Sequence, residues 1–189
     1  MSDGPHRSLR MRRGWKQLAK RADNHAYAPD QIRDAVIPAL VQDWRAGVPD
    51  ALARRIRDIV GGPQDSLFRD EKIAQLEALR GMTAGHGFGG LLIEHAIQTV
   101  SEGKSGPDAA AEAGAAALSS WAARGARQVE EHYCRKAGAR RGGSVRSRIE
   151  DGIGRAPLAG LGRDLLGIGA PSLPRTAPRQ AGLDDGVRL

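Results

Sequence analysis

At 189 residues the chain is the size of one domain, and a formal charge of +7 with a pI near 10.3 draws it toward polyanions. Two phenylalanines, two tyrosines and three tryptophans leave the core to Ala, Leu, Ile and Val, which argues against an extensive sheet. The single cysteine, Cys134, excludes an internal disulfide and fits a reducing, cytoplasmic setting, while apolar runs such as Leu91 to Ile93 are far too short for a membrane span.

The patterning predicts an all-α protein: one bundle of five or six helices over residues 8–150, preceded by a flexible lead at 1–7. A Gly/Pro-rich, mostly flexible tail is expected at 151–189. The opening MSDGPHRSLRMRRGWK has basic residues but no apolar stretch behind them, so it does not read as a secretory signal. Ser8 can cap a first helix running to about Asp23. Met11, Trp15, Leu18 and Ala22 share one side of it, and Arg12, Arg13, Lys16 and Lys20 occupy much of the rest, which makes it basic and amphipathic.

A second helix is expected from Pro29, with Ile32, Val36, Ala39 and Leu40 along one face and Ile37, Val41 and Trp44 widening it. Pro38 should kink or split it. Pro49 and Asp50 begin a third, with Leu52, Ile56, Ile59 and Val60 inward and Arg54, Arg55 and Arg57 projecting. Gly61-Gly62-Pro63 stops it. A fourth runs from about Ser66 to Arg80, and after the loop Gly85-His86-Gly87-Phe88-Gly89-Gly90 a fifth runs from Leu91 to about Ser101.

The stretch from Pro107 to Arg141 organises the rest. Pro107 suits a first helical turn, Ser105 can cap it, and no further proline occurs before Pro157. Ala111, Ala115, Leu118, Ala122, Ala126, Val129 and Tyr133 form one stripe in steps of three and four. Glu112, Arg124, Arg127, Glu131 and Arg135 lie opposite. Such a small-residue stripe lets neighbouring helices approach closely. Gly142-Gly143 is expected to end this helix, with a turn or two from Ser144 to Gly152 carrying Arg146 and Arg148. Little fixed structure is expected from Gly154 on, except that Leu158, Leu161, Leu165 and Leu166 repeat at helical spacing, so segment 158–166 reads as a docking piece for the body or a partner.

Catalytic and cofactor signatures are weak. Gln98 to Ser105, QTVSEGKS, matches only the second half of a phosphate-binding P-loop, because Gln98 stands where the first glycine belongs and no strand precedes it. The glycine-rich loop is a ligand or anion candidate through Gly85, His86, Gly87 and Gly89, weighed against a tight interhelical turn. No H-E-x-x-H or paired C-x-x-C spacing points to a metal. His132 and Cys134, two apart, face nearly opposite sides of a helix. No G-x-S-x-G elbow is present, and Cys134 has basic neighbours but no evident base. Neither metal nor cofactor is expected, and the balance leans away from an enzyme.

The positive signal is distributed. Arginine-dominated clusters occur at 7–21, 54–57 and 135–148, and the guanidinium fork suits phosphate oxygens. If folding joins them, Arg12, Arg13, Lys16, Lys20, Arg54, Arg55, Arg140 and Arg141 form a nucleic-acid-binding surface that contacts phosphates without reading bases. The expected function is a non-enzymatic, phosphate-backbone-binding protein acting as an accessory factor in DNA or RNA transactions. The alternatives are an assembly or adaptor protein, binding an acidic protein partner or a second copy through the long helix, and an enzyme at the glycine loop. The opening GPHRSLRMRRGWKQLAKRADN together with the closing GLDDGVRL resembles a group of small bacterial proteins from accessory or mobile regions; the resemblance implies no activity and carries over no functional residue.

Overall fold

The computed structural model describes residues 11–63, 68–83 and 87–169. Among them are eight α-helices: α1 (Arg13–Asp23), α2 (Pro29–Gly47), α3 (Asp50–Gly61), α4 (Arg69–Ala78), α5 (Phe88–Ser101), α6 (Pro107–Ala137), α7 (Ala139–Arg155) and α8 (Leu158–Leu165). A short 3₁₀ turn, Leu79–Met82, follows α4. The all-α bundle expected from the patterning is present, with the Ala-rich α6 as its axis.

Alanine propensity and the absence of internal proline carry α6 through 31 residues, about 46 Å at 1.5 Å per residue. It packs against α1, α2, α3, α5, α7 and α8. Ala109, Ala110, Ala111, Ala113, Gly114, Ala117 and Leu118 are all buried, so its amino-terminal half is enclosed nearly all round. From Glu131 onward the helix leaves the core and its residues are exposed or half-exposed. Gly106, at φ +96°, takes the capping position without a side-chain bond, and the Ser105 hydroxyl is buried with no partner, so the expected serine cap does not form.

Small residues let the backbones meet. Gly125 of α6 lies beneath the Trp15 ring of α1, where a Cβ would overlap the indole. Gly114 of α6 and Gly162 of α8 face each other; a Cβ on Gly162 would sit 2.7 Å from the Ala115 backbone nitrogen.

The elements differ from expectation at several places. Ser8 and Ser66 lie outside the described residues, and α1 and α4 start at Arg13 and Arg69. α2 continues unbroken through Pro38. The long helix ends at Gly138, whose φ of +88° breaks it, rather than at Gly142-Gly143. α7 then runs straight through those two glycines for 17 residues, because Gly142 packs on Cys134 and the Glu130 carbonyl of α6. Helical structure therefore extends past residue 150. The leucine segment is α8, docked on α6 with Leu166 buried, while the chain after 169 lies outside the described residues. No helix among the described residues is long and apolar enough to cross a membrane.

Candidate nucleic-acid interface

α1 is the basic amphipathic helix that the patterning predicts. Trp15, Leu18, Ala19 and Ala22 are buried, and spacings of three and four place Arg13, Lys16 and Lys20 in one exposed strip. Three devices hold it in place. At its start, the buried Asp43 of α2 accepts from Trp15 Nε1 at 2.9 Å and from Arg12 Nη1 at 3.0 Å, and also from Trp121 Nε1 of α6 at 2.8 Å. At its end, Arg148 of α7 donates to the Ala22 carbonyl at 2.5 Å, the Asn24 carbonyl at 3.0 Å and the Tyr27 carbonyl, neutralising the negative end of the helix. Alongside, Arg141 grips both Asp23 oxygens at 2.7 Å. The Arg141 hydrogen bond holds the Asp23 carboxyl below its ordinary range against the opposing effect of partial burial.

Anchored this way, α1 lies beside the exposed end of α6. Lys16 reaches close enough to act on the imidazole of His132, together with Lys136 and Arg135 from α6 itself. That imidazole is pushed below its usual range by partial desolvation first and then by these three cations. Arg140 lines an adjacent open cleft of about 420 Å³ with His25, Arg141 and Ser144, between the end of α1 and the start of α7.

The eight predicted phosphate contacts differ in their partners and in the element that carries them. Arg12 and Arg141 are engaged by Asp43 and Asp23. Arg54 makes only a long 3.4 Å bond to the Asp50 carbonyl of its own helix; it and Arg55 ride on α3, which packs on α4, α5 and α6 and shares no comparable contact with α1 or α7. Arg13, Lys16, Lys20, Arg55 and Arg140 have no ion-pair partner among the described residues, and all but Arg55 stand on or beside the α1–α6–α7 face. Of the further cations in those sequence clusters, Arg57 pairs with Asp58, and Arg146 pairs with Glu130 and Glu150.

In the glycine-rich loop, Gly85 and His86 lie outside the described residues. Gly87 caps α5, and Gly89 is buried in its first turn, where a Cβ would come within 3.0 Å of Thr83 Cγ2, the Gly47 carbonyl oxygen and Leu52 Cδ2. Gly89 therefore serves close helix packing, and α5 begins three residues earlier than expected. His95 meets Ser120 Oγ at 2.9 Å across the α5–α6 interface, its imidazole held low chiefly by burial. No group of three or more His, Cys, Asp or Glu residues among those described is arranged to hold a metal ion.

Sequence reasoning did not single out Asp43, whose partners lie 28, 31 and 78 residues away. A signal existed: in the run Val36, Ala39, Leu40, Asp43, Trp44, the carboxylate occupies an inward position of an apolar stripe. The described residues form an all-α helical bundle. No family model, curated protein or solved structure matches the chain, so the reading of this face rests on its geometry.

Proposed function

We propose that the protein is a non-enzymatic nucleic-acid-binding protein that grips the phosphate backbone, an accessory factor in DNA or RNA transactions. The observation that carries this reading is the convergence of two strips of cations without carboxylate partners. Lys16, from the exposed α1 strip that also carries Arg13 and Lys20, acts on the same imidazole as Arg135 and Lys136 of α6, and Arg140 of α7 lines the adjacent cleft. The cations of such a face neutralise phosphates and release the counterions condensed on the nucleic acid, which makes backbone contact the source of affinity. The leucine segment, which an assembly role would use, is seated on the buried amino-terminal half of α6.

The test is the affinity for a fluorescein-labelled, random-sequence DNA duplex and its RNA counterpart as a function of salt. Lys16→Ala with Lys136→Ala should weaken binding and flatten the log–log salt slope by roughly two units. Arg54→Ala with Arg55→Ala should leave the slope close to that of the parent protein. Undetectable binding of both nucleic acids at low salt refutes the function.

A further inference from the structure

We propose that the cleft between the end of α1 and the start of α7 seats a terminal phosphate monoester, so that the protein favours phosphorylated strand ends over hydroxyl ends. The inference rests on the function proposed above and names the part of a nucleic acid that this recess takes.

The cleft measures about 420 Å³, within the range of sites for small organic ligands and large enough for a phosphate with its nucleoside. Helical spacing builds one wall. Ser144 follows Arg140 and Arg141 by four and three residues, so all three share a face of α7. Asp23 and His25, from the end of α1 and the turn after it, form the other wall. Ala22 and Val145, both buried, add apolar lining. Both walls are held in place. Gly142 packs α7 on Cys134 of α6, and Arg148 ties α7 to the Ala22 and Asn24 carbonyls that end α1. A ligand therefore meets a recess already formed.

The charge of the cleft suits an anion. Asp23 faces it too, and alone would repel one. Arg141 holds both Asp23 oxygens at 2.7 Å through Nε and Nη2, which cancels that charge and leaves most of the guanidinium donors unused. Arg140 is exposed and has no carboxylate partner among the described residues, so it stands as surplus positive charge. The Ser144 hydroxyl and the His25 ring N–H supply further donors. A phosphate inside a strand has a sugar on each side, and suits the open α1 strip of Arg13, Lys16 and Lys20. A terminal monoester carries about −1.5 to −2 charges near neutral pH, presents three acceptor oxygens and has a free side with which to enter a recess.

The experiment measures affinity of the full chain for fluorescein-labelled DNAs of one sequence at fixed salt and neutral pH. The probes are duplexes ending in 5′-phosphate, in 3′-phosphate or in hydroxyls only, and a closed dumbbell without ends. At least one phosphorylated end should bind about tenfold more tightly than the hydroxyl end, the gain of one charge-assisted contact. Arg140→Ala and Ser144→Ala should each pull that ratio toward one. Arg13→Ala should weaken every probe and keep the ratio. Inorganic phosphate alone, followed through the Arg140 and Ser144 amide shifts by NMR, should bind more weakly than the phosphorylated end. Equal affinity for phosphorylated and hydroxyl ends, a ratio that survives both cleft variants, or inorganic phosphate that binds as tightly as the end overturns this inference. Dumbbell binding in that case leaves the function standing. Absence of binding to all of these DNAs at low salt removes the function and the inference together.

Discussion

Removing the Asp43 carboxylate should be among the most damaging single changes available in this bundle. Its side chain is 3% exposed, and three donors converge on it. Asp43→Ala strands two indole N–H groups, one of them buried, and leaves a guanidinium without its counter-charge. Deleting one partner of a buried charged network costs about 3–5 kcal/mol. Arg12 is different, because its side chain is 48% exposed and water can replace the carboxylate, so Arg12→Ala should cost under about 1 kcal/mol. The assay is urea unfolding followed by far-ultraviolet circular dichroism, with thermal melts in parallel. For a domain of this size the Asp43 variant should melt roughly 6–20 °C lower and the Arg12 variant no more than about 4 °C lower. If Asp43→Ala costs less than 1 kcal/mol, or if Arg12→Ala matches it, the carboxylate does not organise the junction of α1, α2 and α6.

Two other perturbations separate the remaining forces. Gly125→Ala pushes a methyl into the Trp15 ring and should destabilise by about 1–3 kcal/mol, whereas Gly143→Ala, with open space around it inside α7, should stabilise by about 0.5–1 kcal/mol; denaturant midpoints decide both. The Asp23–Arg141 pair has a depressed folded-state carboxyl pKa, so its stabilisation is present above the ordinary value of 3.8 and is lost as pH falls through the lower folded value. The difference in melting temperature between the parent protein and Arg141→Ala should therefore be constant near neutrality and shrink below pH 4, and a gap that widens with acid contradicts the assignment.

Much of the fold is legible in the sequence because the chain spells helices in local terms. Pro29, Pro49 and Pro107 mark starts, and the apolar stripes have the right period. The failures are places where packing overrides propensity. Gly142-Gly143 reads as a stop, yet Gly142 is inside a helix because only a residue without a side chain fits against Cys134. Gly89 reads as loop for a similar reason. The cationic face is legible only in part: charge along the chain does not tell which cations the fold neutralises. Arg12 and Arg13 are neighbours of equal appearance, and Asp43, a distant residue, takes one and leaves the other exposed.

The Gly114–Gly162 crossing has a consequence for how this protein tolerates change. Where two main chains touch, no side chain remains to be trimmed or repacked, so ordinary compensation by a second, smaller residue is unavailable. That crossing acts as a fixed pivot for α8. Substitutions are better absorbed elsewhere, in the water-facing flanks, while the spacing of the two rods stays constant.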